Sequence, residues 1–285
     1  MPPSPVMAMA GLPLAPCAQR GSLMDDTGTS LAKMRATAPL VHQITNYVAM
    51  NIAANVALAA GASPAMVHAR EEVVEFAGLA QALCVNIGTL DAAWAEAMEM
   101  AAQAIAASGR PWVLDPVGVG ATQFRRDVCA RLMALRPTVI RGNASEILAL
   151  AGLGGAGRGA DSADPVAAAE ACARDLAARC GAVVAVSGPV DYVTDGVQSF
   201  RVANGDALMP RVTALGCSLN GVIAAFLVGQ PALPATVAAL AYFGLAGERA
   251  AQVANGPGSF QVAFLDALYA LTPQDVTAGA QVSCA

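Results

Sequence analysis

The chain has 285 residues, 56% of them apolar and only 13% charged, with a net charge of −5. An acidic chain with no Lys/Arg stripe is a poor partner for nucleic acid or anionic lipid. Seven scattered cysteines form no Cys-x-x-Cys pair and two histidines are too few for a multi-histidine metal site, so free thiols in a reduced, cytoplasmic setting are expected.

Residues 1–28, rich in Pro, Gly and small side chains, lack a basic segment ahead of an apolar core and read as a flexible extension rather than a secretory signal. From there strand-like runs alternate with helical patterns. "SPAMVHA" (63–69) precedes "REEVVEFAGLAQ", and "ALCVNIG" (82–88) precedes an alanine-rich helix over 91–108. "PWVLDPVG" (111–118) precedes a helix starting near Gln123, and "TVIRGN" (138–143) precedes "ASEILALAG". "AVVAVSG" (182–188) follows a helix over about 164–180. The strand cores are continuously apolar, as in a parallel sheet covered on both faces. Asp195-Gly196 joins two short alternating segments and reads as a hairpin turn. The last third, from Gly216, is mostly helical. Its apolar runs "GVIAAFLVG" and "ATVAALAYFGLAG" are too short to span a membrane and are broken by Gln230, Pro231 and Pro234. They read as buried helices or a subunit contact. The expectation is one α/β domain over 29–275, a three-layer α/β/α unit with a mostly parallel central sheet, and a tail over 276–285.

Ligands of open α/β sheets sit beyond the carboxyl ends of the strands. Asn86, Asp115, Asn143 and Ser187 all fall there, where such residues also serve as helix caps. Asn143 can cap the next helix, with Glu146 at capping-box spacing. The same carboxylate could hold water around Mg²⁺, which takes few protein ligands, and Arg141 could meet a phosphate. Gly216 is expected to open a long apolar helix with Cys217 in its first turn. Free N–H groups and the dipole would make that end an anion site and lower the thiol's pKa. A tight turn beside a small core residue is the competing reading. The glycine-rich stretch 151–165 lacks a Gly-Lys-Ser/Thr ending and reads as a mobile surface loop.

Taken together, "PLVHQITNYVAMNIAANVALAAGASPAMVHAREEVVEFA", "NIGTL", "LDPVGVGAT", "IRGNASEI", "DYVTDG" and "GPGSF" resemble the hydroxyethylthiazole kinases of the ribokinase-like superfamily, over roughly 30–272. The resemblance implies phosphorylation of the primary hydroxyl of 4-methyl-5-(2-hydroxyethyl)thiazole by ATP with Mg²⁺, in thiamine salvage. It also implies a homotrimer with active sites at subunit interfaces. By the same resemblance Met66 and Asn46 belong to the thiazole pocket, and Arg141 and Ser187 contact ATP. Asn143, Glu146 and Asp115 serve the metal, while Gly216 and Cys217 are catalytic. One position departs from the family pattern: Ala214 stands where the family has a glycine against the thiazole, and a Cβ there penalises positive φ. Three rivals stay open: a kinase of a hydroxymethylpyrimidine or a sugar, a nucleotide-dependent hydrate dehydratase, and a non-catalytic binding protein.

Overall fold

The computed structural model describes residues 20–153 and 165–285. Strands β1 (Leu40–Ile44), β2 (Ser63–Ala65), β3 (Ala82–Asn86), β4 (Trp112–Asp115), β5 (Val139–Asn143) and β6 (Val183–Ser187) run parallel. Strands β7 (Asp191–Thr194), β8 (Ser199–Val202) and β9 (Val282–Cys284) extend the sheet antiparallel, giving the order β2-β1-β3-β4-β5-β6-β7-β8-β9. The register sets Asn86 level with Asp115, and Asn143 level with Ser187. Four polar side chains thus end adjacent strands on one edge of the sheet.

The strands are buried on both faces, and alternate residues feed two cores. Val41, Cys84 and Val113 face the layer containing α1 (Arg20–Thr37), α2 (Met50–Ala60), α8 (Leu215–Phe226), α9 (Ala232–Val253), α10 (Pro257–Ala270) and α11 (Pro273–Gly279). Ile44, Leu83 and Leu114 face α3 (Val73–Leu79), α4 (Ala92–Ala107), α5 (Gln123–Ala134), α6 (Ala144–Leu153) and α7 (Pro165–Cys180). Large side chains such as Trp112, Phe226, Tyr242 and Phe260 are wholly enclosed, each contributing roughly 1.5–3 kcal/mol by its removal from water. The two apolar runs near the C-terminus are α8 and α9, buried along most of their length. No helix among the described residues is long and apolar enough to cross a membrane.

Local signals set the boundaries. Asp91 and Thr122 cap α4 and α5 by accepting from the N–H of Trp94 and Arg125. Gly196, at φ 93°, makes the β7–β8 turn. The differences from expectation are also local. The run 63–69 is extended only over Ser63–Ala65, because His42 pairs with Ala65 and the chain then leaves the sheet, held by His42 Nε2 against the Val67 carbonyl at 2.7 Å. Strand β1 was not anticipated, because His42 and Gln43 interrupt its apolar run although both are buried. Helix α1 starts at Arg20, inside the expected extension. The expected tail contains β9, which completes the sheet edge against β8. Most of the glycine-rich stretch 151–165 lies outside the described residues. Cys84, Cys129, Cys172, Cys180 and Cys217 are free thiols, as expected, whereas Cys284 is disulfide-bonded.

Candidate active site

The β5–α6 junction is a compact corner. Asn143 Oδ1 accepts from the Glu146 N–H at 3.0 Å and from Ser145 Oγ at 2.7 Å, while Glu146 Oε2 accepts from the Asn143 N–H at 2.9 Å. This reciprocal pair is a capping box, so the capping reading of Asn143 and Glu146 is realised. The second Glu146 oxygen accepts from the Gly118 N–H, 3.0 Å away, in the loop after β4. Each carboxylate oxygen therefore keeps a free lone pair. Asn143 Oδ1 already has two donors, which leaves its NH₂ group as the end available to a ligand. Ser187 Oγ donates to the Gly142 carbonyl at 3.1 Å, pinning β6 to β5.

Arg141 ties this corner to α8. Its Nη1 donates to the Gly216 carbonyl at 3.0 Å, and a Cβ at Gly216 would come 3.4 Å from the guanidinium. Helix α8 begins at Leu215, one residue earlier than expected, with Ala214 at its N-cap in the left-handed region (φ 60°, ψ 8°). That conformation explains why glycine suits the position and why alanine is strained there. The Ser218 N–H is bonded back to the Ala214 carbonyl, but those of Gly216 and Cys217 have no backbone acceptor among the described residues. They are the open donors of a helix start, where an anion gains from both hydrogen bonds and the dipole.

Beneath α8 lies a buried polar ring. Asn46 Nδ2 donates to Asn86 Oδ1 at 2.8 Å and to Cys217 Sγ at 3.6 Å. Asn86 Nδ2 donates to Asp115 Oδ2 at 2.5 Å, and Asn220 Nδ2 reaches the same oxygen at 2.6 Å and the Cys217 carbonyl at 3.1 Å. Burial pushes the Asp115 carboxyl up to about 7 and Glu146 adds to the rise, while Arg141 and the two amides pull against it. Burial also raises the Cys217 thiol, and Asp115 adds to that; the neighbouring amides of Asn86 and Asn46 and the charge of Arg141 act the other way. The expected lowering of this thiol by the helix start is therefore corrected: burial, with Asp115 adding to it, raises it above the ordinary thiol value, and Cys217 is a neutral thiol near pH 7.

Met66 follows β2 directly and is half-buried at the same strand-end edge. Tyr47 and Val48, next to Asn46, are 62% and 59% exposed, unusual for such side chains. Two cavities, of about 280 and 430 Å³, lie elsewhere and are lined by none of these residues.

Asp115, Glu146, Asn143, Arg141, Ser187, Gly216, Cys217 and Asn46 thus share one edge of the molecule, joined by the bonds above. Asp115 is near enough to Glu146 for the glutamate's charge to add to its rise. Asp115 Oδ1 takes no hydrogen bond among the described residues, and no group of three or more His, Cys, Asp or Glu is clustered for a metal there. Two carboxylates with spare lone pairs suit a hydrated Mg²⁺ rather than a fully caged ion. Sequence reasoning missed Asn220, whose only signal is a lone amide in an apolar helix. It also missed Asp191, whose carboxyl is pushed up to about 6 mainly by burial, with the Gly188 N–H and then Arg141 opposing. Arg125 was missed as well: it donates to the carbonyls of Ile87, Gly88 and Val117, binding together the loops after β3 and β4.

The hydroxyethylthiazole kinase family model matches residues 31–274. A hydroxyethylthiazole kinase of Cereibacter sphaeroides (strain ATCC 17025) is 66% identical over 262 residues, covering 92% of this chain and all of the relative. The structure of a hydroxyethylthiazole kinase protein from Pyrococcus horikoshii OT3 superposes with a TM-score of 0.85 at 41% identity, covering 91% of this chain and 98% of that one. A pyridoxal kinase from Staphylococcus aureus in complex with ADP shares the fold, with a TM-score of 0.58 at 16% identity over 74% of this chain and 88% of its own. The matched stretch runs from within α1 to within α11 and contains every site residue described above; the chain belongs to the hydroxyethylthiazole kinase family.

Proposed function

We propose that this chain transfers the γ-phosphoryl group of ATP to the primary hydroxyl of 4-methyl-5-(2-hydroxyethyl)thiazole, in a Mg²⁺-dependent step of thiamine biosynthesis or salvage. The observation that carries the reading is the Arg141–Gly216 bond, which sets the acidic corner beside the open N–H groups of α8. Phosphoryl transfer asks mainly for positioning and charge stabilisation. The Gly216 and Cys217 amides and the Arg141 guanidinium would hold the charge that develops on the phosphoryl oxygens. Glu146 and Asp115, with Asn143 alongside, would hold a hydrated Mg²⁺, which would neutralise charge on the phosphates. Ser187, with an acceptor lone pair still free, would contact ATP. Met66, Asn46 and the Ala214 turn would form the thiazole side.

Cys217 works here by orienting the alcohol oxygen rather than by removing its proton at the outset. As the alcohol O–P bond forms, the bond from phosphorus to the ADP oxygen breaks. The alcohol proton is then lost late, to a phosphoryl oxygen or water. We further propose a homotrimer with interfacial sites, because Tyr47 and Val48 expose apolar surface beside Asn46 that a neighbouring subunit would cover. Purified protein incubated with MgATP and the thiazole alcohol should yield the phosphate ester, detected by mass. Absence of product together with absence of thiazole binding would remove the substrate assignment. Sedimentation should show a trimer that Tyr47→Arg dissociates; a wild-type monomer with full activity would remove the assembly.

A further inference from the structure

We propose that Asn86 is a positioning residue that couples the alcohol side of the site to the phosphate side, with Asn220 as a separate clamp on the same acid. The inference rests on the functional reading above, which puts Asn46 and Cys217 near the alcohol and Asp115 near the phosphates. The hydrogen bonds form a closed circuit: Cys217 Sγ receives from Asn46, Asn46 donates to Asn86, Asn86 to Asp115, and Asn220 to both Asp115 and the Cys217 carbonyl. All four side chains between the two ends of Cys217 are at most 6% exposed.

The amide orientations are forced. Asn86 Oδ1 accepts from Asn46 Nδ2 and, at 2.9 Å, from the Gly88 N–H. Turning the amide over would set its NH₂ against two donors, the Asn46 NH₂ and the Gly88 N–H. Turning Asn220 over would likewise aim its oxygen at Asp115 Oδ2 and the Cys217 carbonyl. In the orientation it has, Asn220 Oδ1 is buried with no partner. A buried acceptor left open is unfavourable, and what it secures is a second donor on Asp115. Both donors fall on Oδ2, so the carboxylate cannot rotate freely and Oδ1 is the oxygen left for the phosphate side. Asn46 is fixed with similar care. Its Oδ1 accepts from the Ala49 N–H at 3.0 Å, at the start of α2. It also packs on Gly88, where a Cβ would come within 2.6–2.7 Å of its side-chain atoms. Residue 88 is glycine because Asn46 occupies the space.

The two amides should fail differently. Asn220→Leu, close in volume but without a donor, removes one clamp on the acid and the side-chain bond to the Cys217 carbonyl but leaves Asn46 and Asn86 in place: kcat should fall about 10- to 100-fold, with KM for the thiazole alcohol held within about twofold. Asn86→Leu releases the acid and also Asn46, so kcat should fall similarly and the thiazole alcohol should bind at least about tenfold more weakly. Gly88→Ala, which displaces Asn46 but leaves both donors on Asp115, should weaken thiazole binding with the smaller loss in kcat, and serves if Asn86→Leu does not fold. Calorimetry of each protein with the thiazole alcohol alone, without Mg²⁺ or nucleotide, reads the binding half independently of turnover. Wild-type protein that does not bind the alcohol defeats the substrate reading. Wild-type protein that binds it, with Asn86→Leu (or Gly88→Ala) and Asn220→Leu unchanged or indistinguishable in KM and Kd, defeats the coupling.

Discussion

The two halves of the site are built by opposite means. At the β5–α6 corner, Asn143 and Glu146 are held by backbone N–H groups and by each other, within one helical turn and open to water. Under α8, Asn46, Asn86, Asp115 and Asn220 are held by side chains from four separated segments and sealed from water. An acid in the first setting can exchange water ligands with little rearrangement. An acid in the second is oriented by neutral amides and is costly to ionise. The contrast suits an ion that arrives with its nucleotide at the corner, and a small alcohol that must be held at one angle over the ring.

Glu146→Gln should break the corner's chemistry while keeping the Asn143 cap, because the one amide oxygen can still accept from the Asn143 N–H although the Gly118 N–H then loses its acceptor. Loss of the charge should lower kcat by at least about 100-fold, the scale of removing one charge-stabilising group, and raise the Mg²⁺ requirement. The Asn143 cap persists, so the melting temperature should fall by no more than corresponds to about 1 kcal/mol. Activity and metal dependence matching wild type would remove Glu146 from the metal site.

Asp115→Asn probes the ring through pH. In the folded, magnesium-free protein the Asp115 carboxyl keeps its proton to about pH 7, against an ordinary value of 3.8. Between those values the folded state binds more protons than the unfolded one, so this residue's contribution to stability declines as pH rises, by at most about 1.4 kcal/mol per pH unit. Asp191, pushed up to about 6, acts with the same sign over a narrower window. His42, lowered by burial, acts oppositely, costing stability as pH falls through its ordinary value of 6.5. Relative to wild type, Asp115→Asn should gain about 5 °C or more in Tm between pH 5 and pH 8. Parallel Tm curves would mean that Asp115 is ionised throughout.

Cys217→Ser should cost less than about tenfold in kcat, since a hydroxyl can orient an alcohol as a neutral thiol does; a loss of several orders of magnitude would restore the thiolate as base. The smallest effect is expected at the turn between the halves. Ala214→Gly removes about 1 kcal/mol of left-handed strain, offset in part by glycine's greater unfolded-state entropy, and should raise kcat/KM a few-fold. Unchanged kinetics would mean that the turn accommodates the methyl group at no catalytic cost.

The same contrast explains what the sequence disclosed. The corner was legible because Asn143 and Glu146 lie three residues apart, where capping geometry is dictated locally. Continuous apolar runs gave the parallel strands β3 to β6 for the same reason. The ring was not legible: Asn46 and Cys217 are 171 positions apart, and nothing local to "ALCVN" tells whether Asn86 caps a helix or meets another amide. The state of Cys217 was misjudged because the helix start is visible in sequence, whereas Asp115 beneath it and the degree of burial are not. Strand β9 was missed because three residues carry almost no pattern until β8 offers them an edge.

The most direct measurement is a crystal structure with the thiazole alcohol, Mg²⁺ and a non-hydrolysable ATP analogue. The alcohol oxygen should lie within hydrogen-bond reach of Cys217 Sγ, with the terminal phosphate between Arg141 and the Gly216 and Cys217 amides and the metal's waters on Glu146. A thiazole bound away from α8, or a triphosphate that leaves those amides untouched, would contradict the account.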